Sequence, residues 1–166
     1  MLVERKKIHI AKTKSEVIFN GIGYVFFIGS IILLAIIWDH IPTEVPAHYN
    51  AAGVVDRWGS KWELIILPST SFFILIFLSI FEKFPEWHNY PKRINDTNAK
   101  AFYLTSRKLV NQLKNISVIV FSLFLYNSIA LGMGWGTHFS GLILPLMFIM
   151  FIIPLIIYFL KVRRIT

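Results

Sequence analysis

Residues 42–63, PTEVPAHYNAAGVVDRWGSKWE, form a long polar stretch between two strongly apolar parts of the chain. Pro42 and Pro46 disfavour helix in the residues that precede them. Gly53 and Gly59 permit tight turns further along the stretch. We therefore expect a structured loop without regular secondary structure at the point where the chain reverses direction.

A helix signal closes this stretch. Ser60 and Glu63 match the S-x-x-E capping box, in which the serine side chain accepts a hydrogen bond from a free backbone N–H and the glutamate reaches back to the cap residue. The box predicts that a helix begins at about Lys61.

The flanking sequence has the composition of a membrane protein. Hydrophobic residues make up 55% of the chain and its mean hydropathy is +0.61, which is too apolar for a soluble domain. A hydrocarbon core about 30 Å thick needs roughly 20 apolar residues per helix. The sequence predicts an all-α polytopic membrane protein with a single membrane domain over residues 1–166. Its four spans are expected at about 18–38, 62–81, 115–135 and 139–160, with an outer loop at 39–61 and an inner loop at 82–114.

The distribution of lysine and arginine predicts the orientation of these spans. Fifteen of these residues lie before the first span, in residues 83–114 or after the last span, and only two lie in the outer loop. By the positive-inside rule, both termini and the inner loop face the cytoplasm of a multi-pass cell-membrane protein. The net charge of +8 is then explained by loops that face anionic lipid. We therefore expect membrane lipid, and not nucleic acid, as a partner.

The inner loop is expected to contain a cytoplasmic amphipathic helix. Apolar residues recur on one face from about Ala99, while Lys100, Arg107 and Lys114 repeat every seven residues on another face. Such a helix lies on the interface or runs into the third span. We expect its basic face to contact lipid headgroups, with a docking surface for a peptide or protein as the alternative.

The candidate recognition site is the outer loop. Tyrosine, arginine and tryptophan dominate binding hot spots when they are exposed, and this loop carries all three. The candidate ligand- or partner-binding residues are His48, Tyr49, Asn50, Asp56, Arg57, Trp58 and Lys61. Asp56 can also form an ion pair with Arg57 or Lys61.

A metal site is the weaker interpretation of the same loop. Imidazole and carboxylate groups are zinc ligands, so His48, Asp56 and His138 could converge on an ion. Their spacing is not diagnostic, and hydrogen bonding within the loop is favoured instead. The chain has no cysteine, which removes thiolate ligands and disulfides. We predict no cofactor and no catalytic residue, since no known catalytic motif is present.

Two groups of residues carry a resemblance to a known family. The first comprises Pro46, His48, Asn50, Gly53, Asp56, Gly59 and Lys61, and the second comprises Asn89, Tyr90, Pro91 and Asn98. At these positions the chain resembles a bacterial membrane-protein family of unknown function that also forms the N-terminal half of SdpI-type bacteriocin immunity proteins. The resemblance covers about the first 115 residues, and beyond them only hydrophobicity is shared.

The resemblance implies a binding, sensing or immunity factor that recognises a peptide toxin or a membrane-protein partner through the outer loop. The alternative is a small membrane enzyme or transporter that acts on a lipid-linked or small polar substrate through His48 and Asp56. Transport has less support because none of the expected spans carries a charged residue near its middle. Asn127, inside the third span, is expected to hydrogen-bond to another helix.

Overall fold

A computed structural model describes residues 5–136 and 140–166, with the side chains of the last helix described from residue 144. The candidate metal ligand His138 lies outside these residues. The described residues form four long helices and one pair of strands. They are α1 (Lys14–Ile37), β1 (Glu44–Tyr49), β2 (Val55–Ser60), α2 (Ile66–Lys83), α3 (Ala99–Gly132) and α4 (Ser140–Arg164).

The four helices confirm the predicted membrane architecture. Each contains a stretch that is long and apolar enough to cross a bilayer. The side chains that face outward are mostly large and apolar, as expected where lipid replaces water. An even number of spans brings both termini to one end of the bundle. We call this the terminal end, and we call the opposite end, which carries the strands, the hairpin end.

Helix α3 forms the centre of the bundle. It packs against α1, α2, α4 and β1, whereas α1 and α2 touch each other little. Its 34 residues span about 51 Å, which exceeds the roughly 30 Å of a hydrocarbon core. The helix therefore combines a membrane span with an extension at the terminal end. The amphipathic segment and the third span are thus one continuous helix.

A hydrophobic core lies at each end of α3. The core at the hairpin end joins α1, α2, α3 and β1, and its buried residues are Leu34, Ile41, Val45, Leu64, Leu125 and Ile129. The core at the terminal end joins the loop after α2 to the start of α3 and the end of α4, and it comprises Tyr90, Ala99, Phe102, Tyr103 and Val162. These two cores fix the positions of the sites described below.

The stretch at 42–63 differs from the expected irregular loop. Its two strands pair antiparallel, from Glu44 opposite Ser60 to Tyr49 opposite Val55, and a register shift follows Pro46. A proline cannot donate to a strand ladder, so it is tolerated where a two-stranded hairpin has free edges. A short 3₁₀ helix then begins at Lys61 and leads into α2, where the capping box placed the helix start. The Ser60 side chain accepts from the backbone N–H of Trp62 in this cap.

The basic face expected on the start of α3 is not a lipid-facing surface. Lys100 is exposed, but Arg107 and Lys114 are buried. Each is matched by a carboxylate from another helix, Glu16 and Glu82 respectively. The seven-residue spacing correctly predicted one basic face of the helix. The prediction that this face contacts lipid headgroups is wrong, because the face packs against α1 and α2, where Glu16 and Glu82 supply the opposite charges.

Candidate functional site

One face of the hairpin is anchored on α3. Val45 is fully buried, and Pro46 beside it is also among the most buried side chains. A Cβ atom at Gly132 of α3 would lie 3.0 Å from Val45 Cγ1, so the glycine permits this close approach. The hairpin is therefore held by burial of apolar area and not by its surface charges.

Tyr49 adds a polar anchor to this contact. Its hydroxyl lies 3.0 Å from Ser128 Oγ and accepts a hydrogen bond of 3.0 Å from Asn127 Nδ2. Its ring packs near Phe124. Tyr49 was expected to be an exposed contact residue, and Asn127 was expected to bond to another helix. The half-buried tyrosine instead supplies the partner of the buried amide, because β1 lies against α3.

The turn of the hairpin is built by Asn50 and Gly53. The Asn50 side-chain oxygen accepts from the backbone N–H groups of Ala52 and Val54, each at 3.0 Å. Gly53 has a φ of 74°, which a residue with a β-branched side chain adopts poorly. Asn50 and Gly53 therefore both have structural roles in the turn.

Gly59 and Lys61 hold the base of the hairpin. A Cβ atom at Gly59 would lie 2.9 Å from Ala47 Cβ as well as 2.2 Å from Glu63 Oε1, so this glycine is favoured by close approach and not by a positive φ. The Lys61 ammonium donates to the Trp38 carbonyl at 3.1 Å and lies 4.9 Å from the centre of the Trp38 ring. The lysine thereby joins the end of α1 to the start of α2.

The charged residues of β2 form two exposed pairs. His48 Nδ1 lies 2.5 Å from Asp56 Oδ1, and Arg57 Nη2 lies 2.8 Å from Glu63 Oε2. Asp56 therefore pairs with His48 and not with Arg57 or Lys61. Within the described residues no group of three or more metal-ligating side chains converges.

Trp58 is the largest of the apolar side chains that the hairpin exposes. It is 54% exposed, although it lies opposite the buried Pro46 in the strand register. Beside the hairpin is a cavity of about 330 Å³, lined by residues of β1 together with Arg57, Leu67, Phe124 and Leu144. The structure thus brings an exposed tryptophan and a cavity to the same end of the bundle.

The second group of residues that carries the family resemblance organises the terminal end. The Tyr90 hydroxyl donates to the Pro85 carbonyl at 2.7 Å and also bonds to Ser106 Oγ. His88 bonds to Ser106 Oγ and to the Phe81 carbonyl, each at 3.0 Å. Burial lowers the pKa of the His88 imidazole. It also raises the pKa of the Tyr90 hydroxyl. These groups are structural, because each polar atom is used within the fold.

Asn98 joins the loop to the end of α4. Its side-chain oxygen accepts from the backbone N–H of Asn95 at 2.8 Å, and its amide nitrogen donates to the carbonyls of Arg93 and Thr166. Arg93 also donates to the Val162 carbonyl at 2.5 Å. Pro91 is half-buried beside these contacts, and Asn89 is exposed.

A buried ion pair connects α1 to α3 at the terminal end. Arg107 Nε and Nη2 lie 2.8 and 3.1 Å from the two carboxylate oxygens of Glu16, and both residues are almost fully buried. The arginine also donates to the carbonyls of Ile10 and Ala11, which draws the N-terminal segment onto the bundle. Such a bidentate pair fixes geometry as well as charge.

Three asparagines continue this contact towards the hairpin end. Asn111 and Asn115 of α3 each donate to the side-chain oxygen of Asn20, at 2.8 and 3.0 Å. A Cβ atom at Gly23 would lie 2.2 Å from Asn115 Oδ1, so the glycine leaves room for the amide. The four-residue spacing of Arg107, Asn111 and Asn115 could have revealed this polar face from the sequence.

A second buried ion pair connects α2 to α3. Lys114 Nζ lies 2.5 Å from Glu82 Oε2, and neither side chain is more than 4% exposed. Lys12 Nζ lies 3.4 Å from the other Glu82 oxygen without forming a hydrogen bond to it. No sequence pattern predicts this pair, because Glu82 is a single carboxylate at the end of an apolar run.

These pairs line a large cleft at the terminal end. Its volume is about 1010 Å³, and it lies where α1 and α2 diverge above α3. The N-terminal segment from Lys7 to Lys12 forms one wall, while Tyr24, Ser79 and Glu82 line the part between the helices. The cleft at the terminal end and the cavity beside β1 thus lie at opposite ends of the bundle and differ in chemistry.

Comparisons with known proteins identify relatives but no activity. Residues 25–72 match a domain of unknown function, DUF1648. A protein of Archaeoglobus fulgidus described only as uncharacterized is 30% identical to this chain, over 82% of the chain and 85% of that protein. No solved structure matches the chain. The DUF1648 match covers the end of α1, the hairpin and the start of α2, which are the elements of the candidate recognition site. The chain therefore belongs to the same membrane-protein family of unknown function as the archaeal protein, and it carries the DUF1648 domain.

Proposed function

We propose that this protein is a binding factor, of the sensing or immunity type, whose hairpin recognises a cationic peptide segment outside the cell. The strong lysine and arginine bias towards the terminal end supports this orientation in the cell membrane. The resemblance that the first group of residues, from Pro46 to Lys61, bears to SdpI-type immunity proteins supports the class of function.

The observation that carries the proposal is the division of the hairpin into two faces. Val45 and Tyr49 fix it to α3, whereas Trp58 and Val54 are 54% and 59% exposed. An anchored strand pair that exposes a tryptophan is suited to binding, because little conformational entropy is lost when a partner covers it.

Charge indicates the chemistry of the partner. Residues 39–63 contain four carboxylates, Asp39, Glu44, Asp56 and Glu63, against the two cations Arg57 and Lys61. This segment is therefore acidic in a chain whose net charge is +8. Complementary charge steers encounter, so a cationic segment would approach this surface faster than an acidic one.

The cavity beside β1 offers a place for an apolar side chain of the partner. Its volume of about 330 Å³ falls within the range of small ligand sites. His48 and Arg57 lie at its edge, while Leu67 and Phe124 supply apolar walls. A peptide with alternating cationic and apolar residues matches this combination.

A binding measurement tests the proposal. Protein in lipid nanodiscs is titrated with a fluorescent amphipathic lysine-rich peptide and with the same peptide in which glutamate replaces lysine. We expect the lysine peptide to bind preferentially, and we expect Trp58→Ala to weaken its binding about 30-fold, as for a hot-spot residue worth about 2 kcal/mol. Trp87→Ala is the matched control, since Trp87 is 61% exposed at the terminal end. Equal binding of both peptides, or an equal loss in the control, would contradict the proposal.

One observation favours a second candidate function. Asp56 orients the imidazole of His48 through the 2.5 Å contact, and both side chains are exposed, at 41% and 63%. This arrangement is used in general acid–base catalysis. If the protein is a small membrane enzyme or transporter, turnover should fall on the order of 10²–10⁴-fold in His48→Gln while binding of the lysine-rich peptide is unchanged.

A further inference from the structure

We propose that the cleft at the terminal end binds the headgroup of an anionic membrane phospholipid. The phosphate lies among Lys7, Lys12 and Lys83, and the acyl chains leave the cleft between α1 and α2. This site is separate from the hairpin and does not depend on the function proposed for it.

The charged groups that line the cleft come from two ion pairs, a set of lysines (Lys7, Lys12 and Lys83) and one further carboxylate, Glu86. Arg107 and Lys114 are each matched by a buried carboxylate and cannot also bind an anion without leaving that charge uncompensated. Lys7 and Lys83, by contrast, have no carboxylate within 4 Å among the described residues. Their ammonium groups lie 5.2 and 5.5 Å from the centre of the same ring, that of Phe84.

This arrangement leaves hydrogen-bond donors free at the mouth of the cleft. A cation–π contact attracts an ammonium group but accepts none of its three protons in a conventional hydrogen bond. Two like charges held at one ring repel each other unless an anion lies between them. A phosphate oxygen supplies both the missing acceptors and the missing charge.

Lys12 provides the movable part of the site. Its ammonium lies 3.4 Å from Glu82 Oε1 but is not hydrogen-bonded to it, and its side chain is 57% exposed. Glu82 keeps its short contact with Lys114 whichever way Lys12 turns. The Lys12 side chain can therefore rotate to bind a phosphate at low energetic cost, while the ion pair of Glu82 and Lys114 is retained.

The position of the cleft favours a lipid over a free phosphate ion. The cleft extends to Tyr24, ten residues beyond the start of α1 at Lys14, which is about 15 Å along the helix axis. α1 and α2 touch little along this length, so the cleft is open to the side as well as to the end. Basic pockets between membrane helices are a recurrent form of headgroup site. A small ion would use only the polar mouth of a cleft of about 1010 Å³.

Native mass spectrometry of the full chain in a neutral detergent tests this site. Delipidated protein is titrated with phosphatidylglycerol and with phosphatidylcholine of the same acyl chains. We expect one phosphatidylglycerol to bind preferentially. The Lys7→Gln/Lys83→Gln variant should weaken that binding about 30-fold, since each lysine near an anionic headgroup contributes about 1 kcal/mol. The matched control is Lys92→Gln/Lys100→Gln, which removes two exposed lysines at the same end but outside the cleft.

Three results would overturn the proposal. These are equal binding of the two lipids, an equal loss in the control variant, and displacement of bound phosphatidylglycerol by inorganic phosphate at a comparable concentration. If the Lys7→Gln/Lys83→Gln variant fails to fold, photoactivatable phosphatidylglycerol is cross-linked to the wild-type protein instead. Cross-links should then fall in residues 7–12 and 79–86, and cross-links spread evenly over the lipid-facing helices would refute the site.

Discussion

The hydroxyl of Tyr49 and the amide nitrogen of Asn127 lie 3.0 Å apart, so a residue of the hairpin completes the hydrogen bonding of a residue buried in α3. Asn127 is 1% exposed and its side-chain oxygen has no hydrogen-bond partner within the described residues. The bond to Tyr49 is therefore the polar contact that the amide retains.

Removing this hydroxyl should destabilise the protein. Tyr49→Phe leaves Asn127 Nδ2 without a partner, and an unsatisfied buried donor costs about 1–3 kcal/mol. Asn127→Leu in the same chain should recover much of that loss, because both polar partners are then absent. Thermal unfolding in detergent measures the effect, with Tyr126→Phe as the control at a tyrosine that is 41% exposed on α3. Equal stability of Tyr49→Phe and the control would show that the bond contributes nothing.

Two of the three glycines of α1, Gly21 and Gly23, should respond in opposite ways to alanine. Gly23→Ala places a Cβ against Asn115 Oδ1, and overpacking of this kind costs about 1–3 kcal/mol. Gly21→Ala meets no atom within 4 Å and gains up to about 1 kcal/mol of helix propensity. Unfolding temperatures of the two variants test the contact between α1 and α3. A loss of stability in Gly21→Ala would point to a neighbour of α1 outside this chain.

Removing one partner of the ion pair between α1 and α3 should destabilise the protein more than replacing both partners. Arg107→Met leaves Glu16 buried without its cation, which costs about 3–5 kcal/mol. Glu16→Gln together with Arg107→Met removes both charges and should recover part of this loss. Recovery stays incomplete, because Arg107 also bonds to the carbonyls of Ile10 and Ala11. A double variant less stable than Arg107→Met would contradict this account.

His88 should make stability fall in mild acid. Its folded-state pKa lies below the ordinary value of 6.5, chiefly through burial. The unfolded state therefore binds the proton first, so this contribution is present above pH 6.5 and is lost as the pH falls through the folded pKa. Unfolding temperatures between pH 8 and pH 5 should decline less in His88→Gln than in wild type. Parallel curves would mean that other groups cause the acid effect.

Single cysteines test the orientation without background, because the chain contains none. Ala51 and Thr97 are exposed at opposite ends of the bundle. Ala51→Cys should react with an impermeant thiol reagent on intact cells, and Thr97→Cys should react after lysis only. The reverse pattern would place the hairpin in the cytoplasm and remove the proposed recognition function.

Local signals predicted the elements of this fold, whereas long-range pairing escaped them. The apolar runs predicted four membrane helices, and Ser60 and Glu63 marked the start of the helix at Lys61. Strand pairing at 44–60 was missed because the Pro46 position argues against a strand, and only contact with α3 shows why it is tolerated. The prediction that Lys114 contacts lipid headgroups is wrong, because its partner Glu82 lies 32 residues away in the chain and local spacing does not indicate it. Charge spacing gives a helix face, but it does not say what covers that face.

Helix α3 is unbroken from Ala99 to Gly132, with the hairpin fixed near one end and both buried ion pairs towards the other. Because α3 is about 51 Å long and unbroken, a tilt of this helix where Tyr49 contacts it would also displace Arg107. α1 and α2 each pack against α3, and their contact with each other is slight. The hairpin and the cleft at the terminal end are thus joined through one continuous helix, and the two helices that border the cleft are positioned by α3 and not by each other.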